Sequence, residues 1–310
     1  MKLLVVSHTP HYCGPTGILG FEPTVREIDH LATLFEEVTH VAPLHGVPPP
    51  ACAAPYTAPN VRVHPVRPAG GSGLRDKASV LLRLPEYARA IREELRSADV
   101  VHVRCPANIS LVALWLLTIT RTPGKRWFKY AGNWQPRGRE PLSYWLQRFW
   151  LRYHLAGGVV TVNARPQSGQ HHIRFFYNPC LTEQELARGV SVAAKKVLCE
   201  PWRLLFAGRL EMEKGPAEAL WATAELRRCG IEAVIDLAGD GPDRGVLERL
   251  AAELNLGSAA TFHGWLPRSG VEELYVVAHF AVLPSSCSDG WPKVLSEAMA
   301  FAAVPIASGV

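Results

Sequence analysis

Twice along the chain, short apolar runs of strand length alternate with segments whose apolar residues recur at helical spacing. No other feature constrains the fold as much, because this alternation is the pattern of parallel βαβ units. The first series opens at residues 3–6 (LLVV) and passes a loop carrying Gly14, Gly17 and Gly20. It continues with TVREIDHLATLF, where Val25, Ile28, Leu31, Leu34 and Phe35 share one helical face. VTHVAP, VRVHPV, ADVVHVR, RWFKYAG and GGVVTVN then read as strands, with helices at 78–96 and 109–120. After a charged, weakly periodic stretch at 181–200 the alternation restarts, from WRLLFAG to VPIAS. The pattern predicts two Rossmann-like, doubly wound α/β domains, residues 1–185 and 195–310, and 310 residues suffice for two cores. The last strand candidate lies almost at the end of the sequence, so the second domain reads as truncated or short.

Bulk properties narrow the function classes. Charged residues make up 20% and hydrophobic residues 48%, a globular composition rather than a disordered one. The net charge of +5 suits an anionic ligand, while the basic residues form only short clusters, which argues against nucleic acid. Seven cysteines include no Cys-x-x-Cys pair, as expected of a reducing, cytoplasmic setting with no zinc site. The opening MKLLVVSHTPHY reads as a buried strand, not a signal peptide. The most apolar run, ISLVALWLLTIT at 109–120, is too short to cross a bilayer, which needs about 20 residues.

Four stretches of the second half carry chemistry. In LLFAGRLEMEKG a strand ends at Gly208, and Arg209 and Lys214 sit at a strand–loop–helix junction, a place suited to a diphosphate. Paired instead with Glu211 and Glu213, they would be ordinary loop charges. LAGDGPDR places Gly239 and Gly241 in a turn without the Gly-x-Gly-x-x-Gly spacing. FHGWLP forms a third strand–loop junction. In SSCSDGWPKVLSEAMA, Asp289 and Glu297 stand eight positions apart around Gly290, Trp291 and Pro292, ahead of and within a helix. Carboxylates accept hydrogen bonds from sugar hydroxyls, so such a pair can hold a polyol beside the helix N-terminus. An acidic helix cap is the plainer reading of Asp289 alone.

In this order and spacing the four stretches resemble the donor-binding domain of retaining, GT-B-fold, nucleotide-sugar-dependent glycosyltransferases of the group 1 class, over about the last 110 residues. The resemblance implies two Rossmann-like domains facing a cleft and a nucleoside diphosphate sugar as donor. It implies a glycan or lipid-linked acceptor in surface polysaccharide or glycoconjugate synthesis, and no cofactor. Arg209 and Lys214 would then bind the donor diphosphate and act in catalysis without a metal, together with Asp289 and Arg104. Glu297 would hold the ribose, and Asp289, where the family has Glu, would reach the transferred sugar. Gly239, Gly241, Gly290, Trp291 and Pro292 would complete the donor site. In ADVVHVRCP, Arg104 stands where many relatives carry a second histidine, and His102 is expected to point into the core. Gly17, Asn133 and Trp134 would lie on the acceptor side. Two rivals stand beside this reading: a GT-B nucleotide-sugar epimerase, and a non-catalytic nucleotide-sugar-binding protein.

PLSYWLQRFWLRYH, residues 141–154, places Leu142, Trp145, Leu146, Phe149, Trp150 and Tyr153 on one helical stripe, with Arg148 and Arg152 off it. Two readings follow. One is an ordinary core-facing helix. The other is an interfacial helix on the inner face of an anionic membrane.

Overall fold

The computed structural model describes residues 1–15, 17–70, 74–136, 140–163, 170–177, 180–286 and 292–309. The chain divides into two compact units, Met1–Asn178 and Pro179–Val310.

The first unit contains β1 (Lys2–Val6), β2 (His11–Gly14), β3 (Gly17–Phe21), α1 (Glu22–Ala32), β4 (Glu37–His45), β5 (Ala53–Pro55), β6 (Val61–Val66) and α2 (Leu74–Leu95). It continues with β7 (Val100–Cys105), α3 (Asn108–Ile119), β8 (Lys125–Tyr130), α4 (Leu142–Arg152), β9 (Val159–Val162) and β10 (Ile173–Phe175). Parallel pairing gives the order β10-β9-β8-β7-β1-β4, with β6 on the far side of β4. The strand order therefore reverses between β1 and β7, and ligands of such sheets bind beyond the carboxyl ends at that point. Central strands buried on both faces need continuous apolar runs, and β1 supplies Leu3, Leu4, Val5 and Val6, all buried.

Two expectations change here. The glycine-bearing segment after β1 is not a plain loop: β2 and β3 pair antiparallel, from His11↔Gly20 to Gly14↔Gly17, and β3 then pairs β5. Helix α1 ends at Ala32, so Val25 and Ile28 are buried while Leu34 lies beyond the helix and is exposed.

The second unit comprises α5 (Glu183–Ala193), β11 (Trp202–Ala207), a single 3₁₀ turn (Met212–Lys214), α6 (Pro216–Arg228), β12 (Ala233–Ala238) and α7 (Arg244–Glu253). Then come β13 (Ala260–Gly264), α8 (Arg268–Val277), β14 (Phe280–Leu283), α9 (Lys293–Ala300) and β15 (Val304–Ala307). Its sheet is fully parallel in the order β13-β12-β11-β14-β15, the doubly wound arrangement with its reversal between β11 and β14.

The stretch expected to join the domains is partly helical and belongs to this unit. Thr182 accepts from the Glu185 amide at 3.2 Å while Glu185 accepts from the Thr182 amide at 2.7 Å, a capping box that starts α5. Helix α5 then packs on α9, with Gly189 against the Ala300 carbonyl. Behind it the Lys196 ammonium donates to the carbonyls of Tyr275 (3.0 Å), Ala278 (2.8 Å) and Phe301 (2.5 Å), at the C-terminal ends of α8 and α9. A cation at two helix C-termini is favourable, although burial lowers this lysine to about 8.

Candidate functional site

At the carboxyl edge of the second sheet, three loops meet backbone to backbone. The Gly239 amide donates to the Gly264 carbonyl at 2.8 Å, and the Gly208 amide to Ala238 at 2.9 Å. Gly239 has φ +135°, and a Cβ there would overlap the Gly208 carbonyl oxygen. Gly241 meets the Leu210 carbonyl in the same way. Both glycines are thus required by close backbone approach, a reason independent of any ligand. The Met212 amide donates to the Asp243 carboxylate at 2.8 Å, fastening the 209–215 loop to the loop after β12. The Glu213 carbonyl accepts from the Ser285 hydroxyl at 3.0 Å and the Ser286 amide at 2.9 Å, fastening it to the end of β14.

Arg209 and Lys214 ride on this fastened loop. Arg209 is largely exposed and its Nε lies 2.7 Å from Glu211, the loop pairing weighed above. Such an exposed pair is worth about 1 kcal/mol or less, so the guanidinium can exchange it for a phosphate at small cost. Lys214 closes the 3₁₀ turn directly before α6, whose first residue is Pro216. Pro292 caps α9. Asp289, Gly290 and Trp291 lie outside the described residues.

Glu297 is held from α8. The Tyr275 hydroxyl donates to its Oε2 at 2.9 Å, and Arg268 Nη1 lies 2.8 Å from the same oxygen. Arg268 in turn reaches Glu185 of α5 at 3.0 Å. Burial, and then the neighbouring Glu297 charge, raise the Tyr275 hydroxyl well above its ordinary value, so it remains a donor. Sequence reasoning did not find Arg268 or Tyr275. They are far from Glu297 in the chain and carry no motif of their own.

The carboxyl edge of the first sheet is joined by side chains. His11 Nδ1 faces the Thr9 carbonyl at 2.9 Å, and a carbonyl only accepts, so the proton is assigned to Nδ1. His11 Nε2 then accepts from the Tyr56 hydroxyl at 2.9 Å. Tyr56 has one proton, so its oxygen accepts from His40 Nδ1 at 2.7 Å. His40 Nε2 accepts from Ser7 at 2.7 Å, and Ser7 Oγ accepts from the Thr9 amide at 3.1 Å, closing the ring. With both imidazoles neutral, every proton of the ring is placed. Burial agrees, lowering His11 to about 4 and His40 well below its ordinary value.

Arg104 extends from β7 beside this ring. Glu27 of α1 lies 3.0 Å from its Nη1, accepts from its Nη2 at 3.1 Å, and accepts from the Lys129 ammonium at 2.5 Å. The cation expected to face a sugar or phosphate thus shares one carboxylate with Lys129 inside its own unit. His102 points into the core as expected, stacked on Trp127 with centroids 3.7 Å apart. Burial and then the Arg104 charge lower it to about 3. Asn133 Oδ1 accepts from the Gln135 amide at 2.9 Å, a local turn. Trp134 corrects an expectation: it is 3% exposed, packed edge-on against Tyr130 beneath Arg152, and has no free face for an acceptor sugar. Gly17 does open onto space, lining a cavity of about 280 Å³ with Ile18, Leu19, Tyr56, Val61 and Val63.

Residues 193–310 match the family model of glycosyl transferases group 1. Alpha-D-kanosaminyltransferase of Streptomyces kanamyceticus is 26% identical over 159 residues, 48% of this chain and 41% of that protein. The 2-deoxystreptamine glucosyltransferase of the same organism is 34% identical over 80 residues, 26% of this chain and 21% of that protein. The matches thus span less than half the length of these curated relatives. Among solved structures, sucrose-phosphate synthase from Thermosynechococcus elongatus superposes with a TM-score of 0.70 at 19% identity, covering 100% of this chain and 82% of that one. Anabaena HepE gives 0.63 at 15% identity, covering 100% and 81%. Residues 193–310 thus match the glycosyl transferases group 1 family, and the whole chain shares the fold of these solved structures.

Proposed function

We propose that the protein moves a sugar from a nucleoside diphosphate sugar to a hydroxyl of a glycan or lipid-linked acceptor, with retention, in surface glycan or glycoconjugate synthesis. The observation that carries this reading is the loop 209–215, tied to two neighbouring loops at the carboxyl edge of the second sheet inside the family-matched segment. A uridine nucleotide is the first candidate, since Anabaena HepE has been solved with UDP, with UDP and glucose, and with UDP-glucose.

In this reading Arg209 and Lys214 meet the diphosphate and stabilise the charge that grows on it as the glycosidic bond breaks, a role that needs no metal. Arg209 releases Glu211 to do so. Glu297 takes the ribose hydroxyls through Oε1, while Tyr275 and Arg268 on Oε2 fix its orientation. Asp289 serves the transferred sugar. Gly17 and its cavity serve the acceptor side, and Arg104 acts there as one corner of the Glu27 cluster. The leaving diphosphate oxygen takes the acceptor hydroxyl proton on the face from which it departs, so the protein mainly positions the reactants.

Donor labelled in the sugar, incubated with and without a panel of free and lipid-linked oligosaccharides, tests the reading. Label is expected in an oligosaccharide product. Acceptor-independent release or isomerisation would instead indicate the epimerase, and donor binding without turnover a binding protein.

A further inference from the structure

Helix α4 is built inside out. Its buried side carries Gln147 and Arg148 beside Leu151. Gln147 accepts from the Ala107 amide at 3.1 Å, and Arg148 is bound through both terminal nitrogens to Glu140. The core-facing reading therefore fails for most of this stripe: Trp150 packs on the core, but Trp145, Phe149 and Tyr153 point to solvent. Leu142 is 76% exposed, Trp145 49%, Phe149 40% and Tyr153 63%. The three rings form a ladder along the surface, with centroids 5.6 Å and 4.6 Å apart. On neighbouring α3, Trp115 and Ile119 are also exposed, and the Trp150 indole donates to Thr118 at 2.7 Å, tying the two helices side by side.

The charge of this part of the chain is one-sided. Between residues 100 and 182 the chain has 11 Lys and Arg and a single acid, Glu140, which Arg148 already neutralises. The rest of the chain has 22 basic and 27 acidic residues, so the whole positive excess lies in this segment. The short basic clusters noted in the sequence thus add up to a regional charge. Some of it is spent internally, as at Arg104 and Lys129, but Arg121 follows α3 in the open and Arg152 flanks the ladder. A nucleic acid would use the charge and the rings but not exposed Leu142 and Ile119. An anionic bilayer uses all three: aliphatic groups at the acyl boundary, Trp and Tyr at the headgroup level, and guanidinium groups on phosphates.

We infer that the α3–α4 face docks on an anionic lipid surface, with Leu142, Trp145, Phe149 and Tyr153 entering the interface and Arg121 and Arg152 meeting the headgroups. Among the described residues no helix is long and apolar enough to cross a membrane, so the contact is peripheral.

Co-sedimentation of the full chain with vesicles of phosphatidylcholine, with or without phosphatidylglycerol, tests this without turnover or donor, so its outcome is separable from that of the proposed transfer. The protein is expected to sediment with the anionic vesicles and to be released by salt. The exposed double substitution Trp145→Ala/Phe149→Ala should reduce partitioning at least ~10-fold with an unchanged melting temperature. Arg121→Glu should reduce it about fivefold or more. Equal partitioning to neutral and anionic vesicles, or wild-type partitioning by the double variant, would overturn the inference. So would a lipid-free dimer abolished by the double substitution, which would make this face a protein interface, or RNA binding in place of vesicle binding.

Discussion

At the carboxyl edge of the second sheet, glycines let backbones touch, and the loop carrying Arg209 and Lys214 is fastened mainly by main-chain groups. At the same edge of the first sheet, side chains do the joining: a closed ring through Ser7, His40, Tyr56, His11 and Thr9, and a carboxylate, Glu27, between two cations. The difference fits the two tasks proposed. A diphosphate is the same group in every nucleoside diphosphate sugar and suits a fixed, backbone-built cradle. An acceptor varies between enzymes, and side chains can vary with it while the strands stay.

Four changes probe this contrast, in falling order of effect. Gly239→Ala puts a Cβ into the Gly208 carbonyl at φ +135°, and the loops must separate to admit it. A loss above about 4 kcal/mol is expected in denaturant unfolding, and a change below about 1 kcal/mol would show that the backbone contact is not tight. Glu27→Gln leaves Lys129, 2% exposed, beside Arg104 without its counter-charge, and about 3 kcal/mol should be lost. A neutral result by the same measurement would mean the cluster is open to water.

Acidification should act on the first unit. His11 and His102 have folded-state values of about 4 and about 3, below the usual 6.5, so the unfolded chain takes up protons first. Stability is intact above about pH 6.5 and falls as the pH drops from there toward 4, by about 3 kcal/mol for His11 alone. Equal unfolding midpoints at pH 7 and pH 4.5 would refute the neutral hydrogen-bonded ring. Gly17→Ala is the mildest change: φ is +134°, but no atom lies within 4 Å of the new methyl. A loss of about 1 kcal/mol in thermal unfolding is expected from backbone strain alone, and a Gly239-sized loss would break the contrast between the open and the packed glycine.

The same contrast explains what could be read from sequence. Periodicity revealed the βαβ alternation because core packing demands it along each strand and helix. The donor-side loops were legible because glycine and charge sit close together in the chain between Gly208 and Gly241. The first edge was not: Glu27 looks like any solvent-facing residue of α1, and only the fold brings it to Arg104 and Lys129. The β2–β3 hairpin hid among glycines, which mark loops and tight strands alike. Helix α5 did announce itself, by Thr182 and Glu185 three residues apart, a capping-box signal outweighed by the weak periodicity around it. The stripe on α4 was visible, but periodicity gives a face, not the side on which the core lies. Arg148 pairing with Glu140 decided that.

The central claim is that the fastened 209–215 loop grips a diphosphate. Calorimetric titration of UDP, GDP and ADP into the wild-type chain and into Arg209→Ala and Lys214→Ala tests it most directly. One nucleotide should bind the wild type, and each substitution should weaken it at least ~10-fold with an unchanged melting temperature of the free protein, as expected for loss of a charge-assisted phosphate contact. Wild-type affinity in both variants would contradict the claim.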